Sequence, residues 1–221
     1  MCSSAHPLTG PLDRSKATRV AMRLTINARH PEPRKIAQAV DTMQRGGVIA
    51  YPTDTVYGLG CDITNKRALE AIYRMKRMDA GQLLSFICPD LSDIARYGVV
   101  NDAAYRIMRR LVPGPYTFVL AATREVPKVL RMKRKTVGIR VPDHPVALAL
   151  AEGLGNPVAS TSASFNGETL IDPEEIEARF PEVAMVLDAE GCGLTPSTII
   201  DLSDDAGPVL IREGAGPVDF L

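Results

Sequence analysis

Cations and hydroxyls dominate the residues of this sequence that could do chemistry; no nucleophile stands beside an obvious base. Arg74, Lys76 and Arg77 close one helical pattern, and a basic run extends from Lys128 through Arg131, Lys133, Arg134 and Lys135 to Arg140. Arg212 stands apart near the C-terminus, and the hydroxyls Ser160, Thr161, Ser162, Ser164 and Ser197 fall between. Guanidinium groups pair bidentately with carboxylate and phosphate, and short hydroxyls bond small polar groups, so the set suits a small anionic ligand. Each part also has a plainer account. Basic residues at a helix end complement its dipole, a charge run is usually a solvated loop, and hydroxyls at a strand end satisfy stray backbone groups. Standard nucleotide motifs are absent: Gly58-Leu59-Gly60 lacks the third glycine of a dinucleotide fingerprint, and no GxxxxGK[ST] occurs. His144, in VPDHP, reads as a turn residue, and no Ser-His-Asp set can be argued.

The stretch that must organise these groups is Val48 to Asp62, VIAYPTDTVYGLGCD. Val48 to Tyr51 reads as a buried strand that Pro52 ends by removing an N–H donor. A loop follows with three hydroxyls (Thr53, Thr55, Tyr57), one acid (Asp54) and two glycines (Gly58, Gly60). The glycines would let backbone N–H groups approach a ligand. An ordinary strand-to-helix turn explains the same letters, with Thr53 closing the turn and Tyr57 filling the core. The loop alone leaves both readings open.

Around this stretch the periodicities alternate. Ile36, Ala39, Val40 and Met43 recur at helical spacing before Gly46-Gly47, and Thr64 or Asn65 caps a second helix carrying Leu69, Ile72 and Tyr73. A strand at Leu83 to Cys88, a helix at Asp102 to Val112, and strands at Tyr116 to Ala121 and Thr136 to Val141 follow. Pro145 starts a helix that Gly153 and Gly155 terminate, Pro157 to Ser160 is a short strand, and Asp172-Pro173 marks another helix start. Val183 to Leu187, Ser197 to Leu202 and Val209 to Arg212 close the chain as strands with hairpin-like spacing. The pattern predicts an α/β fold: one domain with a twisted, open, mixed parallel and antiparallel sheet and flanking helices.

Composition narrows the function classes. The 221 residues carry 26 basic and 26 acidic side chains, so nucleic-acid affinity would have to come from local clustering. Trp is absent and aromatics are 5%, which argues against stacking platforms for single strands. The four cysteines form no CxxC pair and only three histidines could join them, against a zinc site and for a reduced, cytoplasmic setting. No run is long and apolar enough to span a membrane. Residues 1–21 lack the apolar run of a signal peptide and read as a flexible tail, leaving 22–221 as the domain.

Five segments together resemble the YrdC/YciO family of threonylcarbamoyl-adenylate synthases and their RNA-binding relatives, with the YciO branch nearer. They are the central stretch, RMKRMDAGQLL, TVGIRVP, STSASFNG, and the closing PSTIID with LIREG. The resemblance implies a concave basic cleft and a reaction of L-threonine, bicarbonate and ATP that gives threonylcarbamoyl-AMP and pyrophosphate, for tRNA t6A modification. Carried over by position, it implies that Thr53, Tyr57, Arg140, Ser160 and Ser197 bind L-threonine. Lys76, Arg77, Thr136, Ser162, Ser164 and Arg212 would meet ATP. Mg2+ would accompany the nucleotide, with no ligand set assigned and Asp54 the sole candidate. Lys76, Arg77, Lys133, Arg134 and Lys135 would serve the alternative function, non-enzymatic binding of tRNA or double-stranded RNA. Two departures from the synthase pattern stand out: the Lys-x-Arg-Pro order is lost around Lys76, and Ser164 replaces an asparagine.

Overall fold

A computed structural model describes residues 21–78, 82, 84–131, 135–204 and 206–219. Its first elements are β1 (Met22–Thr25), α1 (Pro33–Gln44), β2 (Ile49–Tyr51), β3 (Gly58–Asp62), α2 (Lys66–Met75), β4 (Ser85–Ile87), α3 (Leu91–Tyr97) and β5 (Gly98–Val99). The middle comprises α4 (Asp102–Leu111), β6 (Tyr116–Ala122), α5 (Lys128–Arg131), β7 (Thr136–Arg140), α6 (Pro145–Leu154) and β8 (Val158–Ser162). The chain closes with β9 (Ser164–Phe165), β10 (Glu168–Thr169), α7 (Pro173–Arg179), β11 (Met185–Asp188), β12 (Thr198–Asp201) and β13 (Val209–Arg212). Local chemistry sets the helix starts. Asn65 Oδ1 accepts from Ala68 N, Asp90 accepts from Ser92 and Asp93 N, and Asn101 accepts from Ala104 N. His144 Nδ1 accepts from Val146 N ahead of Pro145, so the imidazole is a cap, and Gly155 ends α6 in the left-handed region at φ +68°.

The strands form one mixed sheet in the order β1-β11-β2-β3-β8-β4-β7-β6-β12-β13, with β5 attached to β6 and β9–β10 a separate hairpin. Its back face carries Leu59, Phe86, Phe118, Leu120, Ile139 and Ile200, which share a core with buried residues of α2, α3, α4 and α7. Ile49, Tyr51, Ile87, Val158, Met185 and Leu187 lie on the front face beneath α1 and α6. Those two helices cover only part of that face. Where it runs on to β7, β6, β12 and β13 it is open, and this uncovered part is the floor of a cleft. Among the described residues no helix is long and apolar enough to cross a membrane.

Three features differ from the reading of the sequence. Gly58–Asp62 is a buried strand pairing antiparallel with β2, not a continuing loop, because its two glycines admit the ring of Tyr51. A Cβ on Gly60 would lie 2.7 Å from that ring and 2.6 Å from Val158 Cγ1. The expected late strand near Val183–Leu187 is interior: β11 lies parallel between β1 and β2 and makes no hairpin with β12. The short elements β1, α3, β5 and β9–β10 were not anticipated, since two to seven residues show no full hydrophobic period.

Candidate functional site

Strand register alone gathers most of the candidate residues. Ser160 lies opposite Gly60 and Ser85, Ser85 opposite Gly138, and Ile87 opposite Arg140. Val119 faces Gly138, Thr117 faces Ile199, and Ile199 faces Arg212. Because side chains alternate across a strand, Ser160, Ser162, Ser85, Arg140, Thr117, Ile199 and Arg212 all point to the open front face, where Gly138 leaves bare backbone. One irregularity matters: Ile199 pairs with Arg212 and Ile200 with Leu210, leaving Ile211 as an extra residue. This bulge turns two consecutive side chains toward the cleft, where Ile211 lines its outer part and Arg212 its inner part.

The inner chamber encloses about 140 Å³. Its polar wall includes Thr55, Thr117, Arg140, Ser160, Ser197 and Arg212. Arg140, 6% exposed, donates to Thr55 Oγ1 at 2.9 Å and to Asp54 Oδ1 at 2.5 Å. Burial pulls its pKa down, while Asp54 pushes it back up. Tyr51 donates to Ser160 Oγ at 2.6 Å, and the hydroxyls of Thr117 and Ser197 lie 2.9 Å apart. Arg212 donates to the Ser197 carbonyl at 2.7 Å through one terminal nitrogen; partial burial, then the nearby Arg140, lower its pKa.

Ser85, Thr117, Thr161, Ser162 and Ile199 also wall a second, outer chamber of about 610 Å³, so the two adjoin. Lys76, Arg77, Ser164, Phe165 and Ile211 add to its wall, and among the described residues neither chamber is lined by an Asp or Glu. The Lys76 ammonium donates to the Ser164 carbonyl and, at 2.7 Å, to Ser164 Oγ. Burial lowers its pKa to about 8. Arg77 follows the end of α2 with φ +50°, a conformation unfavourable for a residue with a Cβ, and its guanidinium lies 5.9 Å from the Phe165 ring centre. Arg179 lies 5.4 Å from the same ring.

The expected residues therefore divide. Lys76, Arg77, Ser162 and Ser164 meet in the outer chamber, and Thr53, Tyr57, Arg140, Ser160, Ser197 and Arg212 in the inner one. The side chains of two are committed elsewhere. Thr53 Oγ1 donates to Val56 O and accepts from Thr55 N, while Tyr57 exchanges hydrogen bonds with both the carbonyl and the N–H of Ala189. Thr136 is on the correct face of β7 but not among the wall residues of either chamber. Arg74 is drawn away to Glu182 on the surface. Asp54, the candidate metal partner, is instead the counter-ion of Arg140. In the basic run, Lys135 is exposed before β7, and Lys133 and Arg134 lie outside the described residues. Reading the sequence missed Ser85 and Thr117, whose only signal is their parity along strands beside the recognised segments, and Gly138 and Ile199, which lie within two of those segments but were given no role.

The Sua5_yciO_yrdC family model, described as Telomere recombination, matches residues 41–214. The chain belongs to this Sua5/YciO/YrdC family. It is 45% identical over 197 residues to the uncharacterized protein YciO of Escherichia coli K12, spanning 87% of this chain and 95% of that one. The crystal structure of E. coli YciO superimposes with a TM-score of 0.86 at 44% identity, over 90% of this chain and 98% of that one. A threonylcarbamoyl-AMP synthase of Thiobacillus denitrificans is 40% identical over 167 residues, 73% of this chain and 87% of its own. P. abyssi Sua5, solved in complex with L-threonine, matches with a TM-score of 0.79 at 30% identity, over 86% of this chain and 57% of that one.

Proposed function

We propose that the chain is a threonylcarbamoyl-adenylate synthase, joining L-threonine, bicarbonate or CO2, and ATP, with its product serving tRNA t6A modification. The observation that carries this reading is the pair of adjoining chambers, one of amino-acid size and one large enough for a nucleotide, with cations and hydroxyls on walls that carry no carboxylate among the described residues. The threonine amine adds to CO2, forming a C–N bond and releasing a proton, to give a carbamate. A carbamate oxygen then attacks the α-phosphorus of ATP, the bond to the bridging oxygen breaks, and pyrophosphate leaves.

In this reading the outward N–H groups of Arg140 take the threonine carboxylate. Ser160, whose oxygen already accepts from Tyr51, has its own proton free to donate into the inner chamber. Lys76 and Arg212 bring positive charge to the phosphates from opposite sides of the cleft, and such transfer depends on positioning and charge more than on a protein nucleophile. Mg2+ enters as part of the nucleotide. Among the described residues neither chamber wall has a carboxylate and no cluster of three His, Cys, Asp or Glu occurs, so this donor set does not fit a metal held by the protein. Pyrophosphate release from ATP, measured with and without L-threonine in bicarbonate buffer, tests the proposal. Release that requires both threonine and bicarbonate supports it; release indifferent to threonine, or none, overturns it.

A further inference from the structure

The hydrogen bonds that hold Arg140 have only one possible direction. Thr53 Oγ1 donates its single proton to Val56 O at 2.7 Å. In the 3.1 Å contact between the hydroxyls of Thr53 and Thr55, the donor must therefore be Thr55. Having given its only proton to Thr53, Thr55 Oγ1 meets Arg140 purely as an acceptor, at 2.9 Å from one terminal nitrogen. A one-way chain results: Arg140 to Thr55, Thr55 to Thr53, Thr53 to the carbonyl of Val56. The other terminal nitrogen of Arg140 donates to Asp54 Oδ1. Asp54 does not line the cavity, so it acts on the inner chamber only through Arg140.

Charge neutralisation needs one partner; two partners on different terminal nitrogens also fix the plane of the guanidinium. Asp54 Oδ2 and Arg140 Nε are both buried without a hydrogen-bond partner, so the pair forgoes a second mutual contact while the plane is held by the two terminal nitrogens. We infer that Asp54 and Thr55 are positioning residues that hold the Arg140 guanidinium as a preset fork for a carboxylate in the inner chamber. Each terminal nitrogen keeps one further N–H for that ligand. The inference rests on the proposed reading of the inner chamber as an amino-acid site.

Thr55→Val keeps the shape of the side chain and removes the acceptor, Thr55→Ser keeps the acceptor, and Asp54→Asn removes the charge. Thermal melts establish that each folds. In nitrogen-15 spectra of the arginine side chains, with Arg140 assigned through Arg140→Lys, the wild type should show slow rotation of the Arg140 terminal groups. Thr55→Val and Asp54→Asn should speed that rotation, and Thr55→Ser should restore it. In steady-state assays Thr55→Val should raise KM for L-threonine about tenfold, the loss of one charge-assisted hydrogen bond, with KM for ATP within about twofold. A folded Thr55→Val protein with unchanged rotation, or with both KM values raised equally, overturns the inference. Should Thr55→Val not fold, Asp54→Asn decides on the same readouts. Absence of threonine-dependent turnover in the wild type would end the synthase reading, while rotation of Arg140 and its response to L-threonine alone still decide this one.

Discussion

Tyr51 reaches across the two glycines of the neighbouring strand to donate its hydroxyl proton to Ser160 Oγ at 2.6 Å. Burial pushes the phenol up to about 12, so it remains a donor throughout the working pH range and leaves the Ser160 proton directed elsewhere. The wall of the inner chamber is thus set from behind by a residue on the far side of β3. Tyr51→Phe keeps the ring and removes the bond. It should cost about 1 kcal/mol of stability and weaken L-threonine binding, both measurable by denaturation and calorimetry.

The same relationship makes Gly60 the more size-sensitive of the two glycines of β3. A methyl group there meets the Tyr51 ring and Val158 below van der Waals distance. Gly60→Ala should destabilise by about 1–3 kcal/mol in chemical denaturation, the range for overpacking. An unchanged midpoint would mean that the ring moves aside at no cost.

How much of this was legible in the sequence depends on the kind of signal. Periodicity placed the longer helices and the strands near Tyr116–Ala122 and Thr136–Arg140, and cap chemistry marked Asn65, Pro145 and Asp172. The glycines of the central stretch were visible, but their purpose was not. Gly58 and Gly60 read as openings for a ligand, whereas their space is filled by Tyr51, a contact that appears only when β2 and β3 pair. Likewise Arg140 was legible from its segment, but its partners Asp54 and Thr55 come from a loop 86 and 85 residues earlier. Ser85 and Thr117 carry no motif, and the mixed register alone brings them to the cleft.

Lys76 should give nucleotide binding a pH dependence. Its folded-state pKa, about 8, lies below the ordinary 10.5 because burial disfavours the charged form. Below the folded value both native and unfolded chains hold the proton, and the burial cost is fully present. Between the two values the unfolded chain binds more protons, so this group's contribution to stability rises with pH. Ligand binding runs the other way, since phosphate needs the ammonium. Affinity for ATP should fall between pH 7.5 and about 9.5, and Lys76→Met should bind weakly with a flat profile. A flat wild-type profile would remove Lys76 from the phosphate site.

Arg212 carries its charge on β13, an edge strand paired with β12 among the described residues, and two of its nitrogens donate to the Ser197 carbonyl. Arg212→Ala should weaken ATP binding by about 1.5–3 kcal/mol, the range for a charged hydrogen bond, as read by calorimetric titration with ATP and Mg2+. Arg212→Lys keeps the charge but not the two-nitrogen grip on Ser197, so it should recover only part of the loss. Equal affinity in the Ala variant would place the nucleotide away from β13.

Ser164 is the departure from the synthase pattern with the most direct consequence. Its hydroxyl oxygen accepts from Lys76 Nζ at 2.7 Å on the wall of the outer chamber. An asparagine at this position would offer a carbonyl to the same ammonium and project two N–H donors further into the space beside Lys76. Serine has one short hydroxyl: its oxygen accepts from Lys76, and its single proton reaches less far than the two N–H donors of an amide. If one charged contact in the transition state is missing, the loss is about 1.5–3 kcal/mol, or roughly ten- to a hundredfold in rate. Ser164→Asn should therefore raise threonine-dependent pyrophosphate release by that order, once a thermal melt has shown that the larger side chain is accommodated. Restoring the Lys-x-Arg spacing next to Lys76 should raise it further. A folded Ser164→Asn protein with no gain would mean that the contact at Ser164 does not limit the reaction.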